Sequence, residues 1–176
     1  MNKQFNLRKQ EFSRTHFRFI SENLSDTKKL AWNLFQVLNS SAKQELLCNS
    51  FSHGILICLY GDIGSGKTAF VKYLAEFLGI KEKITSPSFV ILNEYHSDAK
   101  MSLYHFDLYR LEKGGIDTIL DELAEYSEKE NSITVIEWAE FSPDNLPEKR
   151  IDIEIKYLGK TKREFNIYNT DLQSIK

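Results

Sequence analysis

The sequence predicts a three-layer α/β domain built on a mixed, partly antiparallel central sheet. Three observations predict it. Ile55 to Tyr60 and Ile133 to Trp138 are apolar or β-branched runs of the kind that strands buried on both faces require. Segments with helical spacing separate these runs. Near the C-terminus, Ile151 to Tyr157 and Glu164 to Tyr168 alternate as half-exposed strands do, with a turn at Gly159.

In chain order, Phe17 to Ile20 reads as a short strand, and Ser25 or Asp26 as the cap of a first helix. Leu30, Leu34, Val37 and Leu38 place that helix's apolar face. Asn39 to His53 is polar and longer than a minimal connection, so it reads as an insertion. After the strand at 55–60 comes a glycine-rich turn, then a helix from about Lys67 to Leu78 ended by Gly79. Phe89 to His96 and Ser102 to Tyr109 form a hairpin pattern. A helix over Ile116 to Tyr126 turns Ile119, Leu120 and Leu123 inward, and the strand at 133–138 follows. Residues 17–170 are thus expected to form a single domain, preceded by a basic tail over 1–16.

With 176 residues, 41% of them apolar, the chain has material for a core that needs neither disulfides nor a structural metal. Cys48 and Cys58 make no C-x-x-C pair, which fits a reducing, cytoplasmic setting. Charge is nearly balanced, 23 basic against 25 acidic residues, and this argues against strong direct tRNA or DNA binding. No apolar stretch has the length of a membrane span. The first 18 residues carry Lys3, Arg8, Lys9, Arg14 and Arg18 against Glu11 alone, and read as a frayed or partner-facing tail.

Chemistry concentrates at Gly61-Asp62-Ile63-Gly64-Ser65-Gly66-Lys67-Thr68, a complete G-x-x-x-x-G-K-[ST] P-loop. Glycines let successive backbone N–H groups converge on phosphate oxygens, and the following helix adds its positive end. Lys67 is expected on the β- and γ-phosphates of ATP, and the Thr68 hydroxyl on Mg²⁺. A glycine-rich surface turn with a spare lysine would look similar. The buried strand before it and the amphipathic helix after it favour the P-loop. Nucleotide-binding candidates are therefore Asp62, Ile63, Gly64, Ser65, Gly66, Lys67, Thr68 and Ala69.

A P-loop needs a carboxylate at a neighbouring strand end to hold the metal and its water. Glu137 closes the run Ile133-Thr134-Val135-Ile136 in that manner, although a glutamate can also simply mark where a strand meets water. In His105-Phe106-Asp107-Leu108-Tyr109, alternation puts His105, Asp107 and Tyr109 on one face. Asp107 needs a partner there, and Mg²⁺, Lys67, Arg110 and a backbone cap are the candidates. His105 by itself reads as a hydrogen-bonded core histidine. Hydroxyls of Thr85-Ser86-Pro87-Ser88 suit a γ-phosphate switch, but spacing alone favours an ordinary turn.

Taken in order, G-D-I-G-S-G-K-T, T-S-P-S-F, H-F-D-L-Y-R-L and I-E-W resemble the bacterial TsaE (YjeE) ATPases of tRNA threonylcarbamoyladenosine biosynthesis. The resemblance spans about Phe17 to Tyr168. It implies slow ATP hydrolysis alone, and work with the threonylcarbamoyl transferase (TsaD-type) and that enzyme's paralogous partner (TsaB-type), whose turnover it supports. By motif it implies Thr68, Glu137 and Asp107 around Mg²⁺, with Lys67, Glu137 and Asp107 as the catalytic set. It places Thr85 in a switch-like segment, Trp138 beside the nucleotide, and Thr27 at the closing edge of the site. Ser88, Ala69 and Ala139 stand where such proteins usually carry Thr, Thr and Pro. The segment 39–53 is longer than in the pattern.

Two rival readings remain at this level. A small P-loop kinase would need extra cations on a mobile lid, yet only Arg110, Arg150 and Arg163 follow the P-loop. An ATP-gated binding module that does not hydrolyse would share every phosphate contact. No N-K-x-D follows to read guanine, which favours ATP over GTP.

Overall fold

The computed structural model describes residues 15–39, 54–87, 91–98, 101–109, 116–142 and 146–169. Residues 1–14 of the basic tail expected over 1–16 and most of the polar segment 39–53 lie outside them, as do Ser88, Phe89 and Arg110, while Thr15 and His16 belong to the first strand. The elements are β1 (Thr15–Ser21), α1 (Leu24–Asn39), β2 (Ile55–Tyr60), α2 (Lys67–Phe77), β3 (Leu92–His96), β4 (Ser102–Asp107), α3 (Ile116–Glu128), β5 (Ser132–Glu137), β6 (Ile151–Tyr157) and β7 (Arg163–Asn169). They build a sheet of order β1-β7-β6-β2-β5-β4-β3. Its inner strands β6, β2, β5 and β4 run parallel. Antiparallel pairs β3–β4, β6–β7 and β1–β7 flank them. The expected mixed α/β sheet is the one observed.

The apolar run of β2 is explained by its position. Ile55, Ile57 and Leu59 face a core with Leu30 and Leu34 of α1 and Phe70 and Leu74 of α2. Leu56, Cys58 and Tyr60 face a second core with Phe106, Leu123 and Ile136. A central strand with helices on both sides has no wet face, so it alternates between two cores rather than between core and water. Three layers result. Leu123 is buried as expected, while the side chains of Ile119 and Leu120 fall outside the described residues.

Boundaries differ from expectation where side chains capture backbone. Asn23 rather than Ser25 or Asp26 opens α1: its Oδ1 accepts the Asp26 N–H at 3.2 Å, and Asp26 Oδ2 accepts the Glu22 N–H at 3.1 Å. At the end of α2 the Ile80 N–H reaches the Ala75 carbonyl at 3.1 Å and the Gly79 N–H reaches that of Glu76 at 3.1 Å. This is a Schellman closure on left-handed Gly79, φ 79°. Strand β3 begins at Leu92 because Ile91 takes φ 70°. Strand β4 ends at Asp107, whose Oδ1 accepts the Tyr109 N–H at 3.0 Å.

Two features fix the end of β2. Asp152 on β6 accepts both Tyr60 Oη at 2.9 Å and Arg150 Nε at 2.8 Å, and burial pushes the Tyr60 hydroxyl far above its usual range. Gly61 then turns with φ 135°, where an added Cβ would stand 2.3 Å from the Ile155 carbonyl oxygen. Gly61→Ala is expected to destabilise the fold by about 3 kcal/mol, from strain and backbone clash together. Urea unfolding measures it, and an unchanged midpoint would contradict the close approach.

Candidate phosphate-binding and catalytic site

At the carboxyl ends of the parallel strands, the P-loop, β4 and β5 enclose a cleft of about 420 Å³. This is where ligands bind in open α/β sheets. The P-loop closes on itself with the Ser65 N–H on the Asp62 carbonyl at 3.1 Å. Gly64 and Gly66 hold φ 74° and 110°, and an added Cβ at either would meet nothing within 4 Å. Their glycine identity is therefore a matter of backbone conformation, not of crowding.

Lys67, the first residue of α2, is buried. Its Nζ donates to the carbonyls of Gly61 at 2.5 Å and Asp62 at 3.2 Å. It also lies 3.5 Å from the centre of the Trp138 ring, a cation–π contact. Burial lowers the Lys67 pKa, with Glu140, Glu137, Asp107 and Asp62 pulling it back up. Trp138 reaches that position through a left-handed backbone, φ 62°. Such a conformation costs about 1–3 kcal/mol in a non-glycine residue. A stacked contact with Phe141 at 5.6 Å and a tilted one with Tyr109 at 4.8 Å hold it.

The carboxylates converge as the strand register dictates. β4 and β5 pair Asp107 opposite Glu137. Glu137, 2% exposed, accepts the Thr68 hydroxyl on Oε2 at 3.0 Å and pairs through Oε1 with His105 Nε2 at 2.8 Å. A carboxylate can only accept, so His105 Nε2 carries the proton; Nδ1 is buried with no hydrogen-bond partner. His105 thus orients Glu137 toward Thr68. Asp107 Oδ2 accepts the Ser86 hydroxyl at 2.5 Å. These oxygens fit Mg²⁺, which prefers hard donors in an octahedron. Neighbouring ligands of such an ion stand about 3 Å apart, close to the separation between Thr68 Oγ1 and Glu137 Oε2.

Comparison with known proteins shows the family. The family model for TsaE, threonylcarbamoyl adenosine biosynthesis protein, matches residues 21–165. The chain belongs to the TsaE family. It is 36% identical over 137 residues to the tRNA threonylcarbamoyladenosine biosynthesis protein TsaE of Bacillus subtilis, covering 78% of this chain and 84% of that one. With the TsaE of Aquifex aeolicus it shares 35% over 153 residues, covering 85% and 93%. The crystal structure of Bacillus subtilis YdiB superposes with a TM-score of 0.64 at 29% identity, over 89% of this chain and 87% of that chain.

Of the site residues expected from the TsaE pattern, Ile63, Gly64, Gly66, Lys67, Thr68 and Ala69 line the cleft. Asp107, Glu137 and Trp138 line it as well. Asp62 contributes its carbonyl to Lys67, and the Ser65 hydroxyl is buried with no hydrogen-bond partner. Thr85 stands back from the cleft: its N–H reaches Tyr95 Oη at 3.3 Å, and the neighbouring Ser86 lines the cleft instead. Thr27 shares a buried hydroxyl contact of 2.8 Å with Ser21 and does not line the cleft. Two residues were missed. Arg163 on β7 donates to the Ser65 carbonyl at 2.8 Å and the Gly64 carbonyl at 3.2 Å, bracing the P-loop from outside. Glu140 accepts the Gly61 N–H at 3.2 Å. Glu-Trp-Ala-Glu was legible as a second acid, but no sequence signal links Arg163 to a loop 98 residues away.

Trp138 offers a direct check on Lys67. Replacing Trp32, the other tryptophan, by Phe isolates its emission. In that background Lys67→Met is expected to change the Trp138 emission spectrum, because the cation leaves the ring face. Identical spectra would place Lys67 elsewhere.

Proposed function

We propose that this TsaE-family protein binds Mg²⁺·ATP in the cleft and hydrolyses it, slowly alone, in support of tRNA threonylcarbamoyladenosine formation. One observation carries the reading. The buried carboxylate of Glu137 meets the hydroxyl of Thr68, the last residue of a complete P-loop motif, so the loop and a pair of oxygens suited to a metal line the same cleft.

In this mechanism the N–H groups of Gly64 to Thr68 and the start of α2 receive the β-phosphate. Lys67 leaves the Gly61 and Asp62 carbonyls to meet the β- and γ-oxygens, where charge grows during transfer. Thr68 and Glu137 would hold Mg²⁺, which would supply neutralisation of that charge. Asp107 orients the water that approaches the γ-phosphorus, with Ser86 and the Tyr109 N–H fixing its carboxylate. His105 keeps Glu137 in place. Trp138 and Tyr109 cover the cleft edge and restrict water.

The TsaE name of the family supports the pathway assignment. The partners we propose are a TsaD-type threonylcarbamoyl transferase and its TsaB-type paralogue, with hydrolysis resetting their complex between turnovers.

Phosphate release from Mg²⁺·ATP, alone and with the transferase pair, tests the reading. Stimulated release that falls by about 10²-fold or more in Glu137→Ala, with nucleotide still bound, is expected. Absence of stimulation in a pair shown to be active would return the choice to a kinase or an ATP-gated binder. Lys67→Ala is expected to weaken triphosphate binding by about tenfold to a hundredfold, the worth of a charged hydrogen bond. Thr68→Ala should lose chiefly the Mg²⁺-dependent part. Unchanged calorimetric titrations in both variants would overturn the site.

A further inference from the structure

Glu140 is an acid that the phosphate chemistry does not use. It sits on the short 3₁₀ turn Ala139–Phe141 that follows β5, and it does not line the cleft. Its Oε1 accepts the Gly61 N–H at 3.2 Å. Its Oε2 is buried with no hydrogen-bond partner. Burial raises its pKa, while its hydrogen bonds to backbone N–H groups and the Lys67 charge act the other way. Among the acids pulling on Lys67, Glu140 acts most strongly, ahead of Glu137, Asp107 and Asp62.

Two opposite charges therefore hold the two peptide units that flank one residue, Gly61. Glu140 holds the Gly61 N–H, and Lys67 holds the Gly61 carbonyl. A nucleotide must draw Lys67 off that carbonyl. Glu137 and Asp107 face the cleft and can share a cation with the phosphates. Glu140 is absent from the cleft lining, and it meets Lys67 only across the Gly61 residue that both hold.

We propose that Glu140 competes with the nucleotide phosphates for Lys67, acting as a positioning residue that holds the empty P-loop in its resting geometry and weakens nucleotide binding so that product leaves. The inference rests on the triphosphate reading of the cleft and adds a residue that opposes binding. Glu140 touches neither phosphate nor metal in this arrangement. Its effect passes through Lys67 and the Gly61 peptide.

Glu140→Gln separates charge from hydrogen bond, because the amide oxygen can still accept the Gly61 N–H. Calorimetric titration with Mg²⁺·ATP and Mg²⁺·ADP at about pH 8, well above the ordinary carboxylate range, reads the charge effect. Glu140→Gln is expected to bind both nucleotides about three- to tenfold more tightly, the scale of one partly screened charge, and to release ADP more slowly. Glu140→Ala, which also frees the Gly61 N–H, should gain less. In a Lys67→Ala background the gain should vanish, because the competition is for that ammonium. A purely structural role predicts the reverse order: weaker binding in Glu140→Gln, and weaker still in Glu140→Ala. Equal or weaker binding by a folded Glu140→Gln, or a gain that survives without Lys67, would overturn the proposal. Failure of the unmodified protein to bind Mg²⁺·ATP would instead remove the triphosphate reading beneath it.

Discussion

The tight passage of Gly61 beneath the carbonyl of Ile155 is the constraint on which the site depends. β2 must end in register with β6, and the chain must then leave the sheet at once to form a loop open toward the cleft. With φ 135° and an added Cβ 2.3 Å from the Ile155 oxygen, only glycine makes that exit. Upstream, the buried Tyr60–Asp152–Arg150 group locks β2 to β6, so the exit point cannot slide. Downstream, α2 is packed through Phe70, Val71 and Leu74 against the sheet, which fixes where its first turn points. Arg163 ties the loop's outer carbonyls to β7. The shape of the loop is thus set by backbone packing.

Electrostatics in the cleft follow from that placement. Parallel pairing of β4 with β5 brings Asp107 and Glu137 side by side at the same height, beyond the apolar core. Two adjacent acids at low exposure repel unless each has partners. Thr68 and His105 supply them for Glu137, and Ser86 with the Tyr109 N–H for Asp107. Lys67 lies among these acids, folded onto its own loop and covered by the Trp138 ring. The arrangement is charge-rich, with each donor directed at a carbonyl or carboxylate of the cleft. The left-handed backbone of Trp138 is strain of the kind that accompanies functional sites.

Much of this was readable from the chain. The apolar runs at 55–60 and 133–138 identified the two central strands because a strand between two helical layers has no solvent face to encode. The spacing from Gly61 to Thr68 announced the loop because each glycine answers a local backbone demand. Glu137 was legible as the acid at the end of a buried strand. Boundaries were less so: Asn23 takes the cap that Ser25 or Asp26 could equally have taken, and Ile91 shortens β3 through a left-handed residue that no pattern marks.

By itself the sequence determined the layered α/β class, the glycine-rich loop over 61–68 and the acid that ends a buried strand, since these rest on local periodicity and on spacing within single segments. Tertiary structure decided what meets across segments. It chose Glu137 as the hydrogen-bond partner of the buried His105, and left Thr85 out of the cleft lining while bringing Ser86 to Asp107. It also set Arg163 and Glu140 on the two flanks of the P-loop. Such contacts depend on strand order and register, and those are set by the packing of the whole sheet, which no single segment encodes.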